Sequence, residues 1–381
     1  MGRLTEHLQH RIALEGPLSV ADYMEECLSH PRFGYYRTRD PLGPGGDFVT
    51  APEISQMFGE LIGLWLAVTW QSAGSPSPII VAELGPGRGT LMVDALRAAA
   101  KVPEFIAAAR VHLVETSPVL RTTQKTALAA LDLSHAPQWH EEPGTLPAGP
   151  LLIIANEFFD ALPIHQFERT TQGWHERRVA IGNDGKFMFS LGPVEPLPPS
   201  LPQALSEALP GAIAEICPTG INLMAILARR IADDGIAGLI IDYGPMKSTH
   251  GDTLQAVRGH RYANALTDPG EADVTAHVDF AALARAAQAA GAKVHGPIFQ
   301  GTFLKSLGIT ARAKVLANSG GGQHIEAIQA AVNRLAGEDG MGTLFKAIVV
   351  TCQRARSEVA KKIVAGGFAD GFGEPHNQSH D

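Results

Sequence analysis

Apolar residues recur at three- and four-residue steps through Ile54, Met57, Phe58, Leu61, Trp65 and Val68, the spacing of a helix that buries one face. The stretch before it, Asp40 to Pro52, is too rich in glycine and proline for a helix and predicts an irregular loop. After a turn-rich joint at 72–78 the texture changes to short continuous apolar runs alternating with helical stretches. Ile79–Leu84, Val111–Glu115, a weak run at Gln138–His140, Leu151–Ala155 and Ala237–Tyr243 predict strands, as do Lys293–Phe299 and Phe345–Thr351. Helices are expected from Thr90 to Lys101, from about Pro118, from Asn222 to Asp233 and from Asp279 to Gly291. Runs that are apolar throughout suit parallel strands covered on both faces, so the pattern predicts an α/β, doubly wound sheet with its ligand site at the strands' carboxyl ends.

Between Ile164 and Leu191 the period shifts. Gln166–Arg169, Trp174–Ile181 and Lys186–Ser190 read as antiparallel strands, with a turn at Gly182–Gly185, and form a β insertion. The proline-rich stretch 192–210 predicts an extended surface connection. The chain then divides into an N-terminal helical segment (1–73), a first half of the core (74–163), the insertion with its connection (164–218), a second half (219–365) and a glycine-rich tail read as disordered (366–381).

A formal charge of −8 argues against a general nucleic-acid binder, which needs excess Lys and Arg to displace counterions. Cys27, Cys217 and Cys352 are widely spaced and odd in number, giving neither a metal-ligand spacing nor a disulfide framework and pointing to a reducing compartment. The first sixteen residues contain Glu6 and Glu15 and no apolar core, so they read as neither a signal peptide nor an acid-poor transit peptide, and no run approaches the ~18 apolar residues of a membrane span. These readings predict a soluble, cytoplasmic protein without membrane insertion; they leave its oligomeric state open.

Three motifs carry chemistry. The first is the turn Gly85-Pro86-Gly87-Arg88-Gly89 between a strand and a helix, preceded by Glu83. Glycines let backbone turn sharply and approach a ligand, and the helix start offers free N–H groups. Its third glycine comes one residue too early for the dinucleotide fingerprint G-x-G-x-x-G, and no Gly-Lys-Ser/Thr follows for a P-loop. The second is Glu115, ending the second strand, where a carboxylate can accept both hydroxyls of a ribose; Glu141 or Glu142 could then approach an adenine. The third is Asn156-Glu157-Phe158-Phe159-Asp160 after the fourth strand. Carboxylates there could hold a cationic or amino nucleophile and take its proton, with Glu157 and Asp160 as a bidentate clamp. The plainer reading makes Asn156 or Asp160 a helix N-cap.

At these motifs and in the N-terminal segment the chain resembles the MidA-like proteins, a family that includes mitochondrial arginine methyltransferases assisting assembly of respiratory complex I. The resemblance rests on Tyr23-Met-Glu, His30-Pro-Arg-Phe-Gly-Tyr-Tyr36, the stretch Gly46 to Ser55 and Phe58-Gly-Glu-Leu-Ile-Gly63. It continues through Glu83 to Thr90, Asn156 to Pro163, Asp242-Tyr-Gly244 and Asp273 to Phe280. It implies a Rossmann-like class I methyltransferase fold, S-adenosylmethionine as cofactor, and methylation of a protein arginine. By position Glu83, Gly85, Gly87, Gly89 and Glu115 would contact the cofactor, and Asn156 and Glu157 would face the acceptor. Gly46–Glu53 would be a lid bringing Phe48, Thr50 and Glu53 to the cofactor, unless Thr50 merely caps a helix. His277 could stand near the substrate; from the residues alone a histidine before a helix is more simply structural, and Asp279 is that helix's N-cap. The alternatives are methylation of a small molecule and a cofactor-binding assembly factor with little turnover.

Overall fold

The structure, a computed structural model, describes residues 2–38, 49–196, 198, 208–318 and 322–352. Seven strands form its central sheet: β1 (Ile79–Leu84), β2 (Ala109–Val114), β3 (Gln138–His140), β4 (Leu151–Asn156), β5 (Ala237–Tyr243), β6 (Lys293–Phe299) and β7 (Phe345–Thr351). Their spatial order is β6-β7-β5-β4-β1-β2-β3. The first five are parallel, while β7 runs antiparallel to both its neighbours. The apolar run of β7 is fully buried, and a buried run reads the same in either direction; its reversal is therefore a finding of the structure.

Alternate residues along each strand enter different cores. Ile79, Val81, Leu152, Ile154, Leu239 and Ile241 pack under the helices Gln56–Ser72 and Thr90–Ala99. Ile80, Ala82, Ile153, Ala155 and Ile240 pack under Pro218–Asp233 and Phe280–Ala289. Both faces of the central strands β1, β4 and β5 are dry, which is why their runs are almost continuously apolar. The helix Gln56–Ser72 crosses Thr90–Ala99 at Gly59 and Gly63. A Cβ on Gly63 would lie 2.1 Å from the Ala95 carbonyl oxygen and one on Gly59 2.6 Å from the Asp94 Cβ. Two glycines four residues apart thus let this helix seat the one that follows the glycine turn. Glu60, on the same helix, pairs with Arg312 at 2.6 Å and ties the C-terminal helices to this layer.

The N-terminal segment is not one unit. Its first helices, Arg3–Glu15 and Val20–Ser29, leave the central sheet and pack on the insertion, with Leu8, Tyr23 and Met24 against Val179 and Ile164. Leu18–Ser19 even pairs with the insertion strand Trp174–Ile181, through Leu18 opposite Val179. The insertion continues in strand to Glu195, past the point where prolines suggested a connection, and gains Ile213–Ile216 as a further strand. A three-stranded sheet of Gln255–Arg258, Arg261–Ala263 and Asp273–Thr275 was not anticipated. Much of the proline-rich connection, the lid residues 46–48 and the tail from residue 366 lie outside the described residues.

Candidate active site

β1 delivers Glu83 and Leu84 to the crossover of the sheet, and the chain then turns through Gly85, Gly87 and Gly89 at φ 59°, 53° and 84°. Gly85 donates its N–H to the Val114 carbonyl (3.0 Å) and Gly89 to that of Pro86 (2.7 Å), so the turn is pinned to β2 and closed on itself. Beside it opens a cavity of about 210 Å³. Its walls bring together Glu83, Gly85, Gly87, Glu115, Asn156 and Glu157, with Thr50, Pro52 and Glu53 closing one side.

The polar groups of this cavity differ in how far they are satisfied. Glu115 accepts from the Ser117 N–H (2.7 Å) and from Gln124 Nε2 (3.2 Å). A carboxylate has about four acceptor positions, so this fixes its orientation and leaves capacity for two hydroxyls. Glu83 is 2 % exposed, its Oε2 has no partner, and burial pushes its carboxyl up to about 8. Asn156 Oδ1 is likewise buried and unpartnered, while its amide nitrogen donates to Glu157 Oε1 (3.1 Å). Orphaned buried acceptors are costly, and here two of them face one cavity beside a glycine cradle. An ammonium and a ribose, the donor-bearing parts of S-adenosylmethionine, fit that set.

Glu157 stands at φ 51°, a left-handed conformation that costs a non-glycine residue of order 1–3 kcal/mol and tends to persist where function requires it. Its Oε1 also accepts the Ala51 N–H (2.9 Å), so the described end of the stretch expected as a lid docks on this carboxylate. Burial and the charge of Asp160 raise Glu157 to about 7, against the lowering effect of Ala51, Asn156 and the more distant Arg334. Glu53 accepts the Thr90 hydroxyl, linking the same lid stretch to the helix after the glycine turn. Thr50 occupies the N-cap of Ala51–Ile54 without a side-chain capping bond and lines the cavity wall.

Several expected placements change. Asp160 does not line the cavity; it is buried behind the wall, raised to about 6 chiefly by that burial, so a Glu157–Asp160 clamp is not formed on one surface. No helix follows Asn156 or Asp160, and neither is an N-cap. Glu141 and Glu142 are exposed at the end of the edge strand β3, with Glu141 drawn 3.9 Å from Arg121. His277 lines a second cavity, of about 290 Å³, with Glu215, Thr253 and Lys346. Its ring meets Tyr243 edge-on and burial lowers its proton affinity. Asp279 caps its helix, accepting the Ala282 N–H at 2.9 Å. Phe48 lies outside the described residues.

One positioning residue escaped the sequence reading. Gln124 is fully buried; Nε2 donates to the Gly87 carbonyl (2.7 Å) and to Glu115, and Oε1 accepts from Trp139 Nε1 (2.8 Å). It joins the glycine turn to the carboxylate expected at the ribose. The available signal was a glutamine in the buried stripe Leu120–Gln124–Leu128 of the helix Pro118–Leu128. Gln124→Leu should weaken binding of S-adenosylhomocysteine about tenfold in calorimetry, since a hydrogen bond to a charged acceptor contributes roughly 1.5–3 kcal/mol. An affinity within about twofold of wild type would remove this role.

Away from the cavity, His7, Glu26 and His30 come together. His30 Nδ1 faces the N–H groups of Arg32 and Phe33, which places the ring proton on Nε2, and Arg11 holds the other side of Glu26 at 3.0 Å. One nitrogen of His30 and one oxygen of Glu26 are thus already held by partners within the protein.

A seven-stranded sheet with one reversed strand next to its edge, and a glycine turn opening on a cavity at its crossover, is the arrangement of a class I S-adenosylmethionine-dependent methyltransferase. The family model described as S-adenosyl-L-methionine-dependent methyltransferase matches residues 61–298. The protein arginine methyltransferase NDUFAF7, mitochondrial, of Danio rerio is 40% identical over 83% of this chain and 79% of its own length. Its Xenopus tropicalis counterpart is 38% identical over 95% and 89%. A crystal structure from Burkholderia thailandensis bound to S-adenosyl-homocysteine superposes with a TM-score of 0.80 at 28% identity, covering 91% of each chain. The chain belongs to the MidA-like family of S-adenosyl-L-methionine-dependent methyltransferases.

The expectation of a cytoplasmic protein is overturned by these relatives, which are named as mitochondrial. Unpaired cysteines indicate only a reducing environment, and that criterion does not distinguish cytoplasm from the mitochondrial interior. No helix among the described residues is long and apolar enough to cross a membrane.

Proposed function

We propose that the chain transfers the methyl group of S-adenosylmethionine to an arginine nitrogen of a protein, with Glu157 accepting the proton and Asn156 orienting the nitrogen. The observation that carries this reading is the Glu157 carboxylate, held in a left-handed turn on the wall it shares with Glu83, the glycine turn and Glu115. When bound, the cofactor supplies a methyl carbon on a positively charged sulfur. Glu83 takes the cofactor's ammonium and Glu115 its ribose hydroxyls. Gly85, Gly87 and Gly89 let backbone approach it, and Thr50 and Glu53 close one side of it.

A guanidinium has a pKa above 12 and is no nucleophile while fully protonated. A carboxylate beside it first attracts the cation and then takes its proton as the new nitrogen–carbon bond forms. The unpaired Oδ1 of Asn156 accepts a second N–H and sets the nitrogen's direction, the positioning on which in-line transfer depends. Asp160 acts from behind the wall through its charge, and His277 serves the neighbouring cavity rather than the proton transfer.

Arginine as acceptor is supported by the names of the NDUFAF7 relatives. The resemblance to complex I assembly proteins makes a complex I subunit the first acceptor to examine. Incubation with labelled S-adenosylmethionine and cell extract, followed by mass spectrometry, should place the label on arginine of a protein. Label confined to a small molecule transfers the reading to small-molecule methylation. Cofactor binding with no labelled product makes the chain an assembly factor.

A further inference from the structure

The motif Asp242-Tyr243-Gly244 has no part in the functional reading so far, yet Asp242 is completely buried. It stands near the end of β5, adjacent to β4, where the chain leaves Asn156 for the loop that carries Glu157. Its Oδ2 accepts the N–H groups of Phe158 (3.1 Å), Phe159 (2.9 Å) and Asp160 (3.3 Å), and its Oδ1 accepts that of Tyr243 (2.9 Å). One residue earlier the Glu157 N–H donates to the Ile241 carbonyl (2.9 Å). Four successive amides, 157–160, are thus taken by two successive residues of β5. Among the described residues no Arg or Lys pairs with Asp242. Its compensation is the amides.

This arrangement addresses a specific difficulty. Glu157 sits in a backbone conformation unfavourable for a side-chain-bearing residue. Nothing in the residues that follow enforces it, because no helix begins there. The next three N–H groups must all point to one spot, and a buried acceptor with several lone pairs is what holds them there.

We infer that Asp242 is a positioning residue for methyl transfer: by collecting the amides of Phe158, Phe159 and Asp160 it fixes the left-handed turn that aims Glu157 and Asn156 at the acceptor. The inference rests on the functional reading above. Among the described residues Asp242 makes no hydrogen bond to the glycine turn or to Glu115, so its main contribution falls on the chemical step rather than on cofactor binding.

The test is Asp242→Asn, which preserves shape but removes the charge and sets an NH2 donor against an N–H, that of Tyr243 or those of residues 158–160. The expected result is a kcat lowered about 100-fold, the scale of a small misplacement of reacting groups, with S-adenosylhomocysteine affinity within about threefold of wild type. A residue that merely stabilises the fold would lower cofactor affinity and melting temperature along with kcat, and that pattern overturns the inference. So does a wild-type kcat in the variant. Wild-type methylation is measured first: its absence sinks the functional reading itself, whereas an active wild type with an equally active variant sinks only this one. If Asp242→Asn does not fold, hydrogen exchange on the wild-type enzyme decides. The amides of Phe158, Phe159 and Asp160 should then be protected by about 100-fold or more over an unstructured chain, and unprotected amides there overturn the inference.

Discussion

Glu157→Gln is expected to lower methyl transfer by about a thousandfold while leaving cofactor affinity within about twofold, since general-base assistance contributes roughly 10²–10⁴. Glutamine keeps the length of the side chain, and its carbonyl oxygen can still accept the Ala51 N–H that docks the lid. The substitution removes charge and basicity with little change of shape. The pH profile gives a second readout. Glu157 must be ionised to accept a proton, so wild-type kcat should rise as pH climbs through about 7. Burial, and then the carboxylate of Asp160, raise this group, and the Ala51 N–H, the Asn156 amide and Arg334 lower it. In Glu157→Gln that limb should disappear. Single-turnover kinetics with labelled cofactor, beside calorimetry with S-adenosylhomocysteine, measure both quantities; an unchanged rate removes Glu157 from the chemistry.

What could be read from the sequence follows from how each feature is encoded. β1, β2, β4 and β5 were legible because strands dry on both faces leave a continuous apolar run. The glycine turn was legible because its three positive φ angles demand glycine. The direction of β7 leaves no such mark. Nor do Gln255–Arg258, Arg261–Ala263 and Asp273–Thr275, strands of three or four residues whose pairing is set only in three dimensions.

The same distinction governs the site. Glu83, Glu115, Asn156 and Glu157 each lie at or next to the end of a strand, and strand ends share one edge of the sheet, so their convergence was predictable. His277 comes after the stretch 244–272, whose strands are too short to be legible, and sequence offers no measure of where such a stretch returns. Asp160 shows a finer limit. Three residues beyond Glu157's turn, the chain has already passed behind the cavity wall, drawn there by Asp242. Gln124 and Asp242 escaped functional assignment for a shared reason: their task is to hold distant backbone, Gly87 in one case and the 158–160 amides in the other.

Gly85→Ala should damage cofactor binding and turnover together, lowering kcat/KM about 100-fold, and comparison with Gly89→Ala identifies the cause. Both glycines have positive φ, so alanine at either carries a strain of roughly 1–2 kcal/mol. Their surroundings differ. A Cβ on Gly89 would meet Gln124 at 3.5 Å, an ordinary contact, whereas one on Gly85 would come within 2.7 Å of the Phe158 ring. Phe158 immediately follows Glu157, and its N–H is held by Asp242. Moving that ring disturbs the acceptor loop as well as the cofactor turn. Gly89→Ala should therefore weaken S-adenosylhomocysteine binding by about tenfold or less, with kcat at saturating cofactor nearly preserved. Gly85→Ala should lower both. If the two variants behave alike in calorimetry and steady-state kinetics, backbone strain alone governs the turn. A kcat loss confined to Gly85→Ala would show that Phe158 couples the cofactor side of the cavity to the acceptor side through direct contact.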